Sequence, residues 1–457
     1  MFLKTKLKKQ MSTDIKIKKG LTIRLKGTAS KELEPTTKSK IFTVYPDDFH
    51  GIVPKLTVKV GESILAGEPL FYAKSNENIK FTSPINGIVK DIIRGAKRKI
   101  LAIEIQAESS EKFKDFGKKT PHNLTGTQIK QHLLESGCWA FINQRPYDTI
   151  ANPNDTPKAI FVSGFDSAPL AADTIFTLQG KEEAFQTGID ALTKLTEGKV
   201  HLSVQGTSFL NTIKGVTIHK ISGKHPAGNV GVQIAKIDPI NAGDRVWTVN
   251  PQDVAIIGNL FLTGHFEATR IVALAGSEVK KPMYYTIKIG SSLATITAAK
   301  LTSEKVRIIN GNPLTGKAMK ITDSLSFLTN EITVLPEGDQ YRFLGWMPFK
   351  DNFIHSVSRT SFSFLKPTKE YTLNTNLNGE ERAFVVTGEM ERVMPIDIYP
   401  MQLLKATMIG DIEKMENLGI YEVAPEDFAL VDYICTSKIE AQDIIRKGLD
   451  LMIEEVG

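Results

Sequence analysis

The sequence predicts a multidomain α/β protein, on three observations. From Ile15 to about Gln106 short apolar alternations are broken by glycine, the pattern of a small β domain. Between Ala159 and Val204 an apolar strand, a helical stretch and a second apolar strand follow one another, which is a βαβ unit on a parallel sheet. Roughly the last 65 residues are helical in pattern.

The β domain is expected over residues 15–108, after a basic tail at 1–14 in which either Met1 or Met11 could be the start. In "IVPKLTVKVGESILAGEPLFYAK" two strands flank a turn, with Val58, Val60, Ile64 and Leu70 as inward candidates. "GIVKDIIRGAKRKILAIEIQ" supplies two more, joined by the basic turn Lys97, Arg98, Lys99. A Rossmann-like parallel α/β domain is expected over 109–275. Its first helix is capped by Thr125 or Thr127, faces the core with Ile129, Leu133 and Leu134, and stops at Gly137. "KAIFVSGFDSAPLAAD" reads as a buried strand and turn, "KEEAFQTGIDALTKLTEG" as a helix and "KVHLSV" as the next strand. "KHPAGNVGVQIAKIDPI" reads as a loop, "DVAIIGNLFLTG" as a helix and "RIVALAGSEV" as a strand. Residues 276–340 read as strand, short helix, strand, a β-grasp module, and 341–457 as a mixed and then helical C-terminal region.

Composition narrows the function. At 457 residues, with 41% hydrophobic and 24% charged side chains, the chain has room for three or four ordinary cores. No apolar run approaches the ~20 residues that span a bilayer, and the N-terminus lacks a signal-peptide core, so a cytoplasmic location is expected. The formal charge of +6 is spread along the chain, which argues against nucleic acid. Two cysteines, Cys138 and Cys435, make neither a disulfide framework nor a metal site and read as buried thiols.

"VKVGESILAGEPL" and "FTSPINGIVKDI" resemble the two halves of a lipoyl/biotinyl barrel-sandwich hybrid domain. In such carriers the modified lysine sits at the hairpin tip. Counting from Gly67 and back from Pro84 lands on Asn76 or Glu77, with Lys74 and Lys80 off the tip, so neither lipoate nor biotin is expected. Taken with "IKKGLTIRLKGT", "AIFVSGFDSAPLAAD", "HPAGNVGVQIAKIDPINA", "NLFLTG", "FLGWMPF" and "ERVMPIDIYP", the resemblance extends from about Ile15 to Gly457. It is to the A subunits of bacterial Na+-translocating NADH:quinone oxidoreductases, and more remotely to the C subunit of Rnf electron-transport complexes and the NADH-binding flavoprotein of respiratory complex I. The β-grasp module is then SLBB-like.

Departures from those flavoproteins carry the chemistry. Their glycine-rich loop lets a flavin phosphate reach backbone amides. "ESGCWAFINQRPY" stands there instead, with Trp139 and Phe141 filling the space, so no FMN is expected. "SGFDSAP" keeps Asp166 but has Ala168 at the second acid. The C-terminal region resembles a double ferredoxin segment without its thiolates. Cys435 stands at a fourth-ligand position, with Val431, Phe428 and Pro425 at the other three; the second set falls on Met394, Met390, Thr387 and Phe384. No iron–sulfur cluster is expected.

His219, His225 and His265 flank glycine-rich turns without metal spacing and read as surface or hydrogen-bonded core histidines. "HPAGNVG" could line a quinone cleft, which makes Trp139, Phe141, His225 and Gly228 the quinone-contact candidates. The resemblance implies a peripheral subunit on the cytoplasmic side of the inner membrane. It would serve electron transfer from NADH to ubiquinone with Na+ export, without catalysing on its own. Its partners would be integral membrane subunits, met through the C-terminal helices and through Lys97, Arg98 and Lys99. The alternatives are a ligand-free assembly scaffold and a standalone soluble carrier or dehydrogenase.

Overall fold

A computed structural model describes residues 14–35, 39–340, 354–357 and 362–457. The tail before Asp14, both candidate starts and "FLGWMPF" lie outside the described residues.

Two small antiparallel sheets close face to face to form the barrel-sandwich. One orders Ile41–Val44, Ile100–Ala107, Gly87–Arg94 and Ser63–Ile64; the other orders Pro54–Leu56, Pro69–Ala73 and Asn76–Thr82. Val58, Ile64 and Leu70 are buried as expected, in one core with the stacked rings of Phe71 and Phe81, whose centroids are 4.6 Å apart. Val60 is instead 58% exposed, because Gly61 turns the chain outward there with φ 88°.

A second correction concerns the hairpin tip. Ala73 pairs with Asn76, so Lys74 and Ser75 form the turn and Lys74 is exposed at its apex, while Lys80 pairs with Tyr72 down the shaft. Three residues, Glu77 to Ile79, bulge out of register, and a count along the sequence misses such a bulge. The turn does not stand free: the Lys74 amide donates to Val53 O at 2.9 Å.

The α/β domain is built on a seven-stranded sheet centred on Ala159–Ser163, with Lys199–Val204 parallel on one side and Val246–Thr248 parallel on the other. Thr125 caps the helix Gly126–Ser136 in a reciprocal capping box with Gln128, and Gly137, at φ 80°, ends it. Where a loop was expected after Asn229, the helix Val230–Ile237 forms. Pro226, Gly228 and Pro239 bracket it and obscure a short apolar repeat whose Val232 and Ile234 are buried.

The β-grasp sheet runs Lys317–Met319, Val306–Asn310, Glu331–Pro336, Thr269–Ala275, Met283–Lys288 and Ser30–Pro35. The N-terminal segment therefore leaves the barrel. Asp14–Ile17 pairs parallel with Thr217–Gly223 at the edge of the α/β sheet, and Ser30–Pro35 pairs parallel with Met283–Lys288 at the edge of the β-grasp sheet. The C-terminal helices Pro400–Met408, Ile412–Asn417, Ala429–Ile434 and Ala441–Glu455 enclose their own core around Met401, Leu404, Phe428 and Leu449.

Candidate functional site

The central strand Ala159–Ser163 continues into Lys199–Val204 on one side, and the chain returns on its other side as Val246–Thr248. Open α/β sheets hold ligands beyond the carboxyl ends of the strands where the winding reverses in this way. Beyond Ser163 two loops meet, Gly164–Ser167 and His225–Asn229. They touch because residue 228 has no side chain: a Cβ on Gly228 would lie 2.5 Å from Ser167 N and 2.9 Å from Ser167 Oγ.

Small polar side chains lace the two loops together. Gly228 N donates to Ser167 Oγ at 2.7 Å. The Ser163 hydroxyl lies 2.8 Å from Phe165 O and 2.9 Å from Gly228 O, and accepts from the Gln233 amide at 2.7 Å. Ser167, already accepting from Gly228, is free to donate to His225 Nδ1 at 3.1 Å. Burial pushes His225 down to about 4, partly opposed by the Asp166 carboxylate, so the ring is neutral at pH 7. When Ser167 donates to Nδ1 the ring hydrogen falls on Nε2, which is buried and has no hydrogen-bond partner among the described residues; Gln233 Oε1 is also buried without one. The arrangement thus offers one unused donor and one unused acceptor.

Asp166 accepts from Ala168 N at 2.8 Å and forms the turn, the role of a cap. Behind the loops, Arg145 is fully buried and donates to Asp427 Oδ2 at 2.9 Å and to Glu426. The partners are more than 280 residues apart in sequence, and the pair fastens the C-terminal helices to the sheet. Burial raises the Glu426 carboxyl against the pull of Arg145.

Trp139 and Phe141 lie elsewhere, sealed in the main core. The Trp139 indole donates to Ala151 O at 2.8 Å and stands edge-on to Trp247, at 5.2 Å between centroids. Phe141 stacks on Phe327 at 5.3 Å, with the Arg270 guanidinium over its ring. The four quinone-contact candidates therefore fall into two places, Trp139 and Phe141 in one core and the His225–Gly228 loop against the other. A flavin phosphate needs bare amides, and side chains packed at 0% and 2% exposure in this stretch do not fit one.

The other candidates scatter. His219 Nε2 lies 2.9 Å from His201 Nδ1 under the sheet, and His265 rests on Phe113. Among the described residues no group of three His, Cys, Asp or Glu could hold a metal ion. Both cysteines are buried and free. Val431, Phe428, Met394 and Met390 pack inside the helical core, and their side chains do not fit a cluster that requires thiolates. Lys97, Arg98 and Lys99 sit exposed at a hairpin apex. Ser163, Ser167 and Gln233 went unnoticed in the sequence, where isolated small polar residues carry no spacing signal.

Comparison with known proteins adds to this picture. Residues 15–108 match the family model for the NqrA N-terminal barrel-sandwich hybrid domain, 124–266 that for the NqrA second alpha/beta domain, and 271–320 that for the NQRA C-terminal domain. The A subunit of the Na(+)-translocating NADH-quinone reductase of Marinomonas sp. (strain MWYL1) is 35% identical over 443 residues, 96% of this chain and 99% of the relative. That of Hahella chejuensis (strain KCTC 2396) is 36% identical over 448 residues, 96% of this chain and 100% of the relative. A solved NAD+-reducing [NiFe]-hydrogenase overlaps 66% of this chain and 55% of its own at 11% identity and a TM-score of 0.34, a likeness too slight to bear an argument. Three domain models in register, together with relatives matched from end to end, place this chain in the family of Na(+)-translocating NADH-quinone reductase A subunits.

Proposed function

We propose that this subunit works at the cytoplasmic face of the bacterial inner membrane as a peripheral part of its complex. It holds no flavin, iron–sulfur cluster, lipoate or biotin, and it offers ubiquinone a contact at the carboxyl end of its parallel sheet. In this reading the complex reduces ubiquinone to ubiquinol coupled to Na+ export, and the isolated chain does not catalyse. No helix among the described residues is long and apolar enough to cross a membrane. The bilayer is then reached through integral subunits, which the C-terminal helices would meet with the exposed Met408 and Ile409.

One observation carries the quinone contact: His225 Nε2, buried beside Gly228 without a partner among the described residues, is a donor in the tautomer whose Nδ1 accepts from Ser167. A quinone carbonyl is an acceptor, and its oxygen gains negative charge on reduction, so a fixed donor there favours the reduced form. A second reading, a ligand-free assembly scaffold, is favoured by the sealing of Trp139 and Phe141 in the core.

Calorimetric titration of the purified chain with a short-chain ubiquinone separates the two. Weak binding that falls about tenfold in His225→Gln, the loss of one hydrogen bond to a buried partner, supports the contact. No binding, or binding unchanged in the variant, leaves the scaffold.

A further inference from the structure

The strands Gly87–Arg94 and Ile100–Ala107 form a hairpin whose apex carries Arg94, Lys97, Arg98 and Lys99, all exposed. Charge on the shaft is balanced, with Lys90 paired to Glu104 at 3.0 Å. Among the described residues, Lys99 alone of these four cations meets a carboxylate, Asp47 at 2.9 Å, and that pair is open to solvent. Lys97 and Arg98 both take left-handed backbone conformations, φ 52° and 61°, which side chains of their kind resist; neither is buried. Just behind the cations, Ile93 and Leu101 stand 39% and 38% exposed.

We propose that this apex is a contact site for anionic lipid headgroups. Convex, lysine-bearing and backed by two half-exposed aliphatic side chains, it suits a charged surface with an apolar layer beneath it. Protein interfaces are instead depleted of lysine at their centres. The inference deepens the peripheral reading and relies on it only for the setting, since the experiment uses the chain alone.

The test is flotation of the purified chain with vesicles of phosphatidylcholine, with or without phosphatidylglycerol. Each cation at an anionic surface is worth about fivefold in partitioning, so Lys97→Gln with Arg98→Gln should bind about twenty-five-fold more weakly. Lys194→Gln with Lys214→Gln, the same charge change on exposed lysines of the α/β domain, should bind like the wild type. A parallel series starting at Met11 removes the four lysines of the first ten residues from the comparison. Binding that needs the anionic lipid, fades with salt and is lost only in the apex variant supports the proposal. Absence of binding to anionic vesicles overturns it, as does equal loss in both variants. An apex variant that keeps its lipid binding but no longer joins the integral subunits would make the apex a protein contact and overturn it too. Release of the subunit from native membranes by high salt is scored separately and bears on the peripheral reading alone.

Discussion

Gly228→Ala tests whether the two site loops depend on contact between their backbones. Ordinary contact with a Cβ begins near 3.4 Å, and Ser167 N lies at 2.5 Å, so one loop must retreat by about 0.9 Å. Overpacking of that kind costs about 1–3 kcal/mol, and loss of the bond from Gly228 N to Ser167 Oγ adds about 1, for an expected loss of about 2–4 kcal/mol. Urea unfolding followed by tryptophan fluorescence reads the right region, since Trp139 and Trp247 report the core beneath the sheet. Gly206→Ala serves as the comparison. Its φ is 72° with nothing within 4 Å of the new Cβ, so it should show conformational strain alone, about 1 kcal/mol. Adding Ser167→Ala to Gly228→Ala should not help, because the nearest atom is backbone. A loss below 1 kcal/mol, or rescue by Ser167→Ala, would refute the reasoning.

Arg145→Met should cost about 3–5 kcal/mol by stranding Asp427 and Glu426, with much of it recovered when Glu426→Gln and Asp427→Asn are added; denaturation curves showing a loss under 1 would contradict the ion-pair account. His225 resists protonation when folded. The wild type should therefore lose stability as pH falls from about 6.5 towards 4, by up to about 3 kcal/mol, and pay nothing above that window. His225→Gln lacks this slope, and parallel pH–stability curves for the two proteins would disprove the neutral ring. Purified protein should show no flavin absorbance, and stoichiometric FMN would overturn the filled-loop argument. Intact mass should equal that of the unmodified chain; an acyl increment mapped to Lys74 would show that the turn is a carrier site after all.

What was legible in the sequence follows the range of each interaction. The cap at Thr125, one of two candidates, the stop at Gly137 and the parallel pairing of Ala159–Ser163 with Lys199–Val204 are local or strongly periodic, and the structure forms them as expected. The helix Val230–Ile237 was obscured because its flanking Pro and Gly residues are turn formers, while its stability comes from packing Val232 and Ile234 under the sheet. Lys74 was misplaced by a bulge, and Val60 by a glycine turn. At the site, His225 and Gly228 were noticed for their glycine-rich setting. Their dependence on Ser167 was not, because a contact across some sixty residues leaves no mark in either loop. Arg145 and Asp427 are the extreme case, two charged residues that look like surface until the fold buries them together.

The N-terminal segment has a consequence for how the protein is made. Asp14–Ile17 and Ser30–Pro35 leave the ribosome first, yet their partners are Thr217–Gly223 and Met283–Lys288. At about 5–20 residues per second, the second of these strands waits roughly 12 to 50 s for its neighbour to be synthesised. During that interval it is a loose strand beside growing sheets, the kind of segment that pairs with the wrong edge. Its sequence, Ser-Lys-Glu-Leu-Glu-Pro, is fully exposed even in the finished sheet, and its charges and terminal proline discourage stray pairing. The same stitch means that no cut near residue 36 yields intact pieces. It would strip an edge strand from two sheets at once, so nascent chains halted before Met283 should be the most prone to aggregate.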